Sequence, residues 1–150
     1  MGNRAVITTS KSSNVARSSD VGLYLHWNGG RDSVEAFLTY CRIQGFRSPE
    51  FDNYGWARLA QVIANYFGGD GLSVGIDKCS RLDCDNGDNG VYVIKGWEIV
   101  GRQYFEGPEQ NEYDLEGMLV YIDEQQPANM QLGAERIAEA LAKLGGEANV

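Results

Sequence analysis

The sequence predicts an α+β fold: an antiparallel β-sheet with two helices packed on one face, followed by an acidic helical C-terminal extension. Three observations predict it. Short β-rich stretches carry alternating apolar residues, whereas others repeat apolar residues at i, i+3, i+4 and i+7. Their order, β-β-α-α-β-β-β-α-α, lacks the strand–helix alternation of a doubly wound parallel sheet. Charge then divides the chain: residues 1–105 balance 11 acidic against 11 basic side chains, while residues 106–150 carry 10 acidic and two basic ones.

Arg4 to Thr9 and Val21 to Trp27 are the first two strands, an antiparallel pair joined across the Ser-rich stretch Thr8 to Ser19. In the second, Val21, Leu23, Leu25 and Trp27 share one face, with Tyr24 and His26 on the other. Asp32 or Ser33 caps a helix carrying Val34, Phe37, Leu38 and Cys41 on one stripe, and Gly45 stops it. A second helix begins after Asn53, buries Trp56, Leu59, Val62, Ile63 and Phe67, and ends at Gly68-Gly69. Strands follow at Leu72 to Ile76, Val91 to Ile94 and Trp97 to Tyr104, the last two forming a hairpin about Lys95-Gly96. Leu115, Met118, Leu119 and Ile122 mark a third helix, ended by Pro127. Ala134, Ile137, Leu141 and Leu144 mark a fourth. The Gly107-Pro108 break separates a domain at residues 1–106 from an acidic helical segment at 107–150, which either packs on its own core or serves as an oligomerisation arm.

With 150 residues, 43% hydrophobic, the chain is long enough for a self-sufficient core. No apolar run approaches the roughly 20 residues of a membrane span, and residues 1–15 lack a signal-peptide core, so a cytoplasmic protein without membrane contact is expected. Cys41, Cys79 and Cys84, an odd number without framework spacing, fit reduced thiols. A net charge of −8, with no basic tract, argues against DNA or RNA polymers as partners.

Enzyme signatures are scarce. His26 is the single histidine, which excludes a multi-histidine metal site within one chain, and no nucleophile elbow, His-Glu-x-x-His helix or Walker loop occurs. His26 is either a hydrogen-bonded sheet residue or a donor to a ribose or phosphate. Cys79-x4-Cys84 lacks zinc-ligand spacing. The run Asp83-Cys-Asp-Asn-Gly-Asp-Asn-Gly90 fails the calcium-loop pattern, because Gly87 falls where an oxygen ligand belongs and Ile94 where the bidentate glutamate belongs. It reads either as paired Asx turns launching a strand or as a polar surface for a base edge or ribose.

Arginine beside glycine and an aromatic recurs three times: Arg31 after Trp27-Asn-Gly-Gly, Arg58 in Tyr54-Gly-Trp-Ala-Arg58, and Arg102 in Val100-Gly-Arg-Gln-Tyr-Phe105. A small phosphorylated purine needs that combination: guanidinium forks for phosphate oxygens, π faces for stacking, and glycines where backbone approaches closely. The competing reading makes the aromatics core and the arginines its polar edge.

Tyr24-Leu-His-Trp-Asn-Gly29, Tyr54-Gly-Trp-Ala-Arg-Leu59, Asn65-Tyr-Phe-Gly-Gly69, Leu72-Ser-Val-Gly75, Leu82-Asp-Cys-Asp-Asn-Gly-Asp-Asn-Gly-Val-Tyr92 and Trp97-Glu-Ile-Val100 resemble the phage-encoded Thoeris anti-defence sponge proteins of the first described type. The resemblance spans about Arg4 to Phe105, and the Ser-rich stretch and acidic tail carry less of it. It implies a ligand-binding protein without enzymatic activity or cofactor, working in the cytoplasm of an infected bacterium. Such sponges hold the glycocyclic ADP-ribose signal of a TIR-domain enzyme uncleaved. The resemblance further implies a homodimer assembling into a hexamer, with cyclic oligonucleotides at a separate site in some members. Carried onto this sequence, the ligand-binding set is Trp27, Arg31, Arg58, Phe67 and Arg102, with Asn86 and Asn89 as polar readers. Two other classes remain open: a metal-dependent hydrolase of cyclic nucleotide signals using Asp83, Asp85 or Asp88, and an inhibitor that grips a host defence protein through residues 108–150.

Overall fold

The computed structural model describes residues 2–10, 15–68 and 73–148. The centre of the Ser-rich stretch, the second glycine of Gly68-Gly69 and the expected strand start at Leu72 lie outside the described residues. Five strands form one sheet: β1 (Ala5–Thr9), β2 (Val21–Leu25), β3 (Val74–Lys78), β4 (Val91–Lys95) and β5 (Glu98–Gln103), in the spatial order β3-β2-β1-β4-β5. The helices are α1 (Arg31–Ile43), α2 (Asn53–Tyr66), α3 (Leu115–Glu124) and α4 (Ala134–Ala148). The class is α+β as expected, with one correction to the sheet. β1 pairs antiparallel with β2 but parallel with β4, Val6 opposite Val91 and Thr9 opposite Ile94, so the sheet is mixed. Alternation assigns faces to a strand and is blind to the direction of its neighbour.

The period-two pattern sorts the two faces as it should. Ala5, Ile7, Leu23, Leu25, Tyr92 and Ile94 point to the helical side and pack with Val34, Phe37, Leu38, Leu59, Val62 and Ile63. The opposite face is thinner: Val6, Val91 and Val93 pack with Cys79, which lies in the short 3-10 turn Cys79–Arg81, and with Leu82 and Cys84. The C-terminal helices share the larger core, since Leu119, Ile122 and Ile137 are fully buried in it. Glu116, Glu124, Glu135 and Glu139 of this acidic segment remain in solvent, whereas Asp123 is buried.

Local chemistry fixes the ends. α1 starts two or three residues earlier than the capping pattern suggests, with Gly30 rather than Asp32 or Ser33 as N-cap, and Asp32 sits in its first turn accepting from the Ser33 N–H at 2.8 Å. Asp52 caps α2 through the Tyr54 N–H, and Asp114 caps α3 through the Gly117 N–H. The β4–β5 hairpin turns on Gly96 and Trp97, both at positive φ (59° and 67°), which is the two-residue geometry that matches strand twist. Trp97 tolerates that backbone because its ring is buried and its indole N–H donates to the Phe46 carbonyl at 2.8 Å. Asp123, buried between α3 and α4, accepts from the Tyr40 hydroxyl and from the Leu132 and Gly133 N–H groups.

Candidate anion-binding site

A groove of about 420 Å³ opens between the end of α1 and the start of α2, lined by Gly45, Phe46, Arg47, Tyr54 and Arg58. Its construction follows from one glycine. A Cβ on Gly55 would lie 2.5 Å from the Arg47 carbonyl and 2.7 Å from the Pro49 nitrogen, so only glycine lets the first turn of α2 press against segment 47–49. That contact brings the Arg47 guanidinium to 5.6 Å from the centre of the Tyr54 ring. Asp52, the cap of α2, also anchors Arg47, at 2.8 Å from its Nε. Arg58 lies one helical turn beyond Tyr54, on the same side of α2. Its side chain makes no ion pair, hydrogen bond or ring contact among the described residues, and no carboxylate lines the groove. Two arginines and an exposed tyrosine face one opening, an arrangement suited to an anion attached to an aromatic ring.

Arg31 and Arg102 meet elsewhere. Both reach Glu109, Arg31 Nη1 at 3.2 Å and Arg102 in a close contact, and Arg31 also lies 3.7 Å from Glu35. The Arg102 guanidinium is sandwiched between Tyr92 and Phe105, 3.8 and 3.9 Å from the ring centres. Its Nε donates to the Val91 carbonyl at 3.2 Å and its Nη2 to the Asn89 carbonyl at 2.6 Å. Burial raises the Tyr92 phenol to about 12 against the lowering effect of Arg102, so its hydroxyl stays a donor, given to the Gly29 carbonyl at 2.8 Å.

The other expected ligand-binding residues divide between these places and the polar loop. Asn89 is tied to the Arg102 cluster by its backbone, and its side-chain amide donates to Asn3 and to the Arg4 carbonyl. Asn86 is buried and organises its own loop: its amide nitrogen donates to the Asp83 and Gly90 carbonyls, and its oxygen accepts from the Asp88 and Gly90 N–H groups. This is the Asx-turn alternative for residues 83–90. Gly90 is required there, because at φ 62° a Cβ would stand 2.3 Å from the Gln103 carbonyl. Trp27 is 44% exposed with its ring edge-on to His26, whose Nδ1 is hydrogen-bonded to the Tyr24 hydroxyl at 2.9 Å. Phe67 ends α2, half-buried beside Tyr66, and Asn28 links that end to the loop after Trp27 through the Tyr66 hydroxyl. Arg58 stands alone among the expected arginines, in the α1–α2 groove.

The remaining chemistry is quieter. Arg4 holds Asp88 at 2.8 Å and Asp83 at 3.4 Å, and this hydrogen bond keeps the Asp88 carboxyl below its ordinary range. Burial pushes the Cys84 thiol up to about 11 and raises Cys41 as well, the opposite of nucleophile activation. Among the described residues, no three His, Cys, Asp or Glu side chains are grouped to hold a metal ion, and no helix is long and apolar enough to cross a membrane.

Sequence reasoning passed over Arg47, although Gly45-Phe46-Arg47 carries the same glycine–aromatic–arginine signature as the three positions it selected. It also passed over Glu109, which no local pattern distinguishes from the other acidic residues of the tail. No family model, curated protein or solved structure matches this chain.

Proposed function

We propose that the protein is a sponge: it binds glycocyclic ADP-ribose without cleaving it and withholds that signal from host TIR-based (Thoeris) antiphage immunity, in the cytoplasm of an infected bacterium. The observation that supports the reading is the α1–α2 groove, where Arg58 has no partner among the described residues and Arg47, held on one edge by Asp52, flanks Tyr54. Arg47 and Arg58 take the phosphate oxygens and Tyr54 takes a base face. Sequestration at micromolar to nanomolar dissociation constants needs roughly 8–12 kcal/mol. Two arginine forks and a stacked ring are contacts of the strength that sum requires. A homodimer assembling into a hexamer belongs to the same proposal, as does a separate site for cyclic oligonucleotides.

The competing hydrolase reading draws on Asp83, Asp85 and Asp88, but Arg4 engages two of these three carboxylates. The deciding experiment incubates the purified protein with glycocyclic ADP-ribose, removes free ligand, denatures the protein by heat and analyses what is released by chromatography and mass. The sponge returns the ligand intact. A converted mass makes the protein an enzyme, and no capture favours the inhibitor of a host protein.

A further inference from the structure

A fold in the chain between β3 and β4 sets Cys79 and Cys84 side by side. The Cys79 carbonyl accepts from the Leu82 N–H at 3.1 Å and from the Cys84 thiol at 3.4 Å, so residue 84 is turned back over residue 79. The backbone is held on either side of the pair. The Cys79 N–H donates to the Asp20 carbonyl at 2.8 Å, the Cys84 N–H to the Leu82 carbonyl at 2.9 Å, and the Cys84 carbonyl accepts from the Asn86 amide at 3.4 Å. Both side chains belong to the apolar cluster on the thinner face of the sheet, and both line a groove of about 420 Å³ there, with Ser80, Leu82, Val91 and Tyr104. The two thiols differ in access. Cys79 is 8% exposed and its S–H donates to the Thr8 hydroxyl at 3.4 Å, whereas Cys84 is half-buried. Burial, with the Cys79 thiol adding to it, pushes the Cys84 thiol up to about 11, so little thiolate forms near neutrality and weak oxidants leave the pair reduced. Cys41 lies apart, fully buried in the core on the helical side of the sheet.

We propose that Cys79 and Cys84 form an oxidation site, a thiol pair that a peroxide converts to a disulfide closing residues 79–84 into a loop. The Cys84 sulfur, which meets solvent, attacks one peroxide oxygen. The O–O bond breaks, the released hydroxide takes the thiol proton and leaves as water, and Cys84 becomes a sulfenic acid. The Cys79 sulfur then attacks the Cys84 sulfur: the S–S bond forms, the S–O bond breaks, and the hydroxyl leaves as a second water with the Cys79 proton. Two electrons thus pass from the two sulfurs to one peroxide. Thr8 loses the Cys79 donor without being stranded, because its own hydroxyl still donates to the Val21 carbonyl at 2.6 Å. The crosslink ties the turn after β3 to the polar loop 83–90 across the floor of the groove.

The test gives millimolar hydrogen peroxide to the full folded chain at about pH 8.5, where more of the thiol ionises, then blocks the remaining thiols and digests with trypsin. Cleavage after Lys78 and Arg81 places Cys79 and Cys84 in separate peptides, 79–81 and 82–95, so the disulfide appears as a linked pair lighter than their sum by two hydrogens. That pair is expected as the main oxidised species, released by dithiothreitol, with Cys41 still a thiol. In Cys84→Ser, Cys79 should be oxidised at least about tenfold more slowly than in the parent, because its partner sulfur no longer delivers the oxidation. In Cys79→Ser, the Cys84 sulfenic acid should accumulate and be trapped by dimedone. Oxidation of Cys84 in the parent without the linked pair overturns the proposal. So does a Cys79 that is oxidised at the parent rate in Cys84→Ser, or a linked pair that joins two copies of the chain rather than one. None of these readouts uses a nucleotide or the α1–α2 groove, so they stand or fall apart from the sponge reading.

Discussion

The α1–α2 groove and the Arg31–Arg102 cluster share the same residue types and differ in what surrounds the guanidinium groups. At Arg102 two backbone carbonyls, one carboxylate and two ring faces use the whole side chain. At Arg58 the described residues use none of it, and Arg47 is held on one edge by Asp52. An arginine next to glycine and an aromatic therefore has two fates: it braces a sheet edge when backbone oxygens come within reach, and its guanidinium stays open to solvent when they do not.

Substitution at the two places should separate these fates. Arg102→Ala leaves the Val91 and Asn89 carbonyls without this donor and empties the space between Tyr92 and Phe105. A loss of about 2–3 kcal/mol is expected, read as a lower midpoint in urea unfolding. Unchanged unfolding would remove the distinction between the two arginines. Arg58→Ala should behave oppositely, within about 0.5 kcal/mol of the parent in the same unfolding assay. Its dissociation constant for glycocyclic ADP-ribose should rise about tenfold or more, equivalent to ~1.4 kcal/mol.

A smaller effect is expected from the tyrosine. Tyr54→Phe keeps the ring and should hold ligand nearly as well as the parent, whereas Tyr54→Ala loses a stacking face valued at about 1–3 kcal/mol. Equal affinities for the two variants in a calorimetric titration would place the base away from Tyr54. The smallest effect concerns Arg4 and Asp88, which brace the polar loop. Because Arg4 depresses the Asp88 carboxyl, the pair's stabilisation is complete above the ordinary value of 3.8 and drains away as pH falls through the lower folded value. Asp88→Asn should therefore reduce the melting temperature slightly at pH 7 and converge with the parent in strong acid. A gap that persists at low pH would assign the effect to something other than ionisation.

Much of the fold was legible because burial and period coincide. The stripes Val34, Phe37, Leu38, Cys41 and Leu59, Val62, Ile63 became helix faces on the sheet, and Leu23 and Leu25 turned inward while Tyr24 turned outward. The parallel pairing of β1 with β4 was not legible, because it depends on how the chain between them crosses over and leaves no mark on the alternation of either strand. The arginine–aromatic signature pointed to the right residue types but did not say whose carbonyls lie near each guanidinium. Arg102 meets Asn89 and Val91 only because β4 and β5 pair as a hairpin, whereas Arg47 reaches Tyr54 only because Gly55 admits segment 47–49. Asn86 looked like a surface reader for a related reason: its sequence neighbours are polar, and only the closed loop shows its amide turned inward onto five backbone groups.

The most direct test of the open groove is a calorimetric titration of glycocyclic ADP-ribose into the parent chain and into Arg47→Ala/Arg58→Ala. Tight binding by the parent and a loss of about a hundredfold or more in the double variant, with folding intact by circular dichroism, is the result expected if both guanidinium groups hold phosphate oxygens. Parent-like affinity in the folded double variant would contradict the assignment of the ligand to this groove.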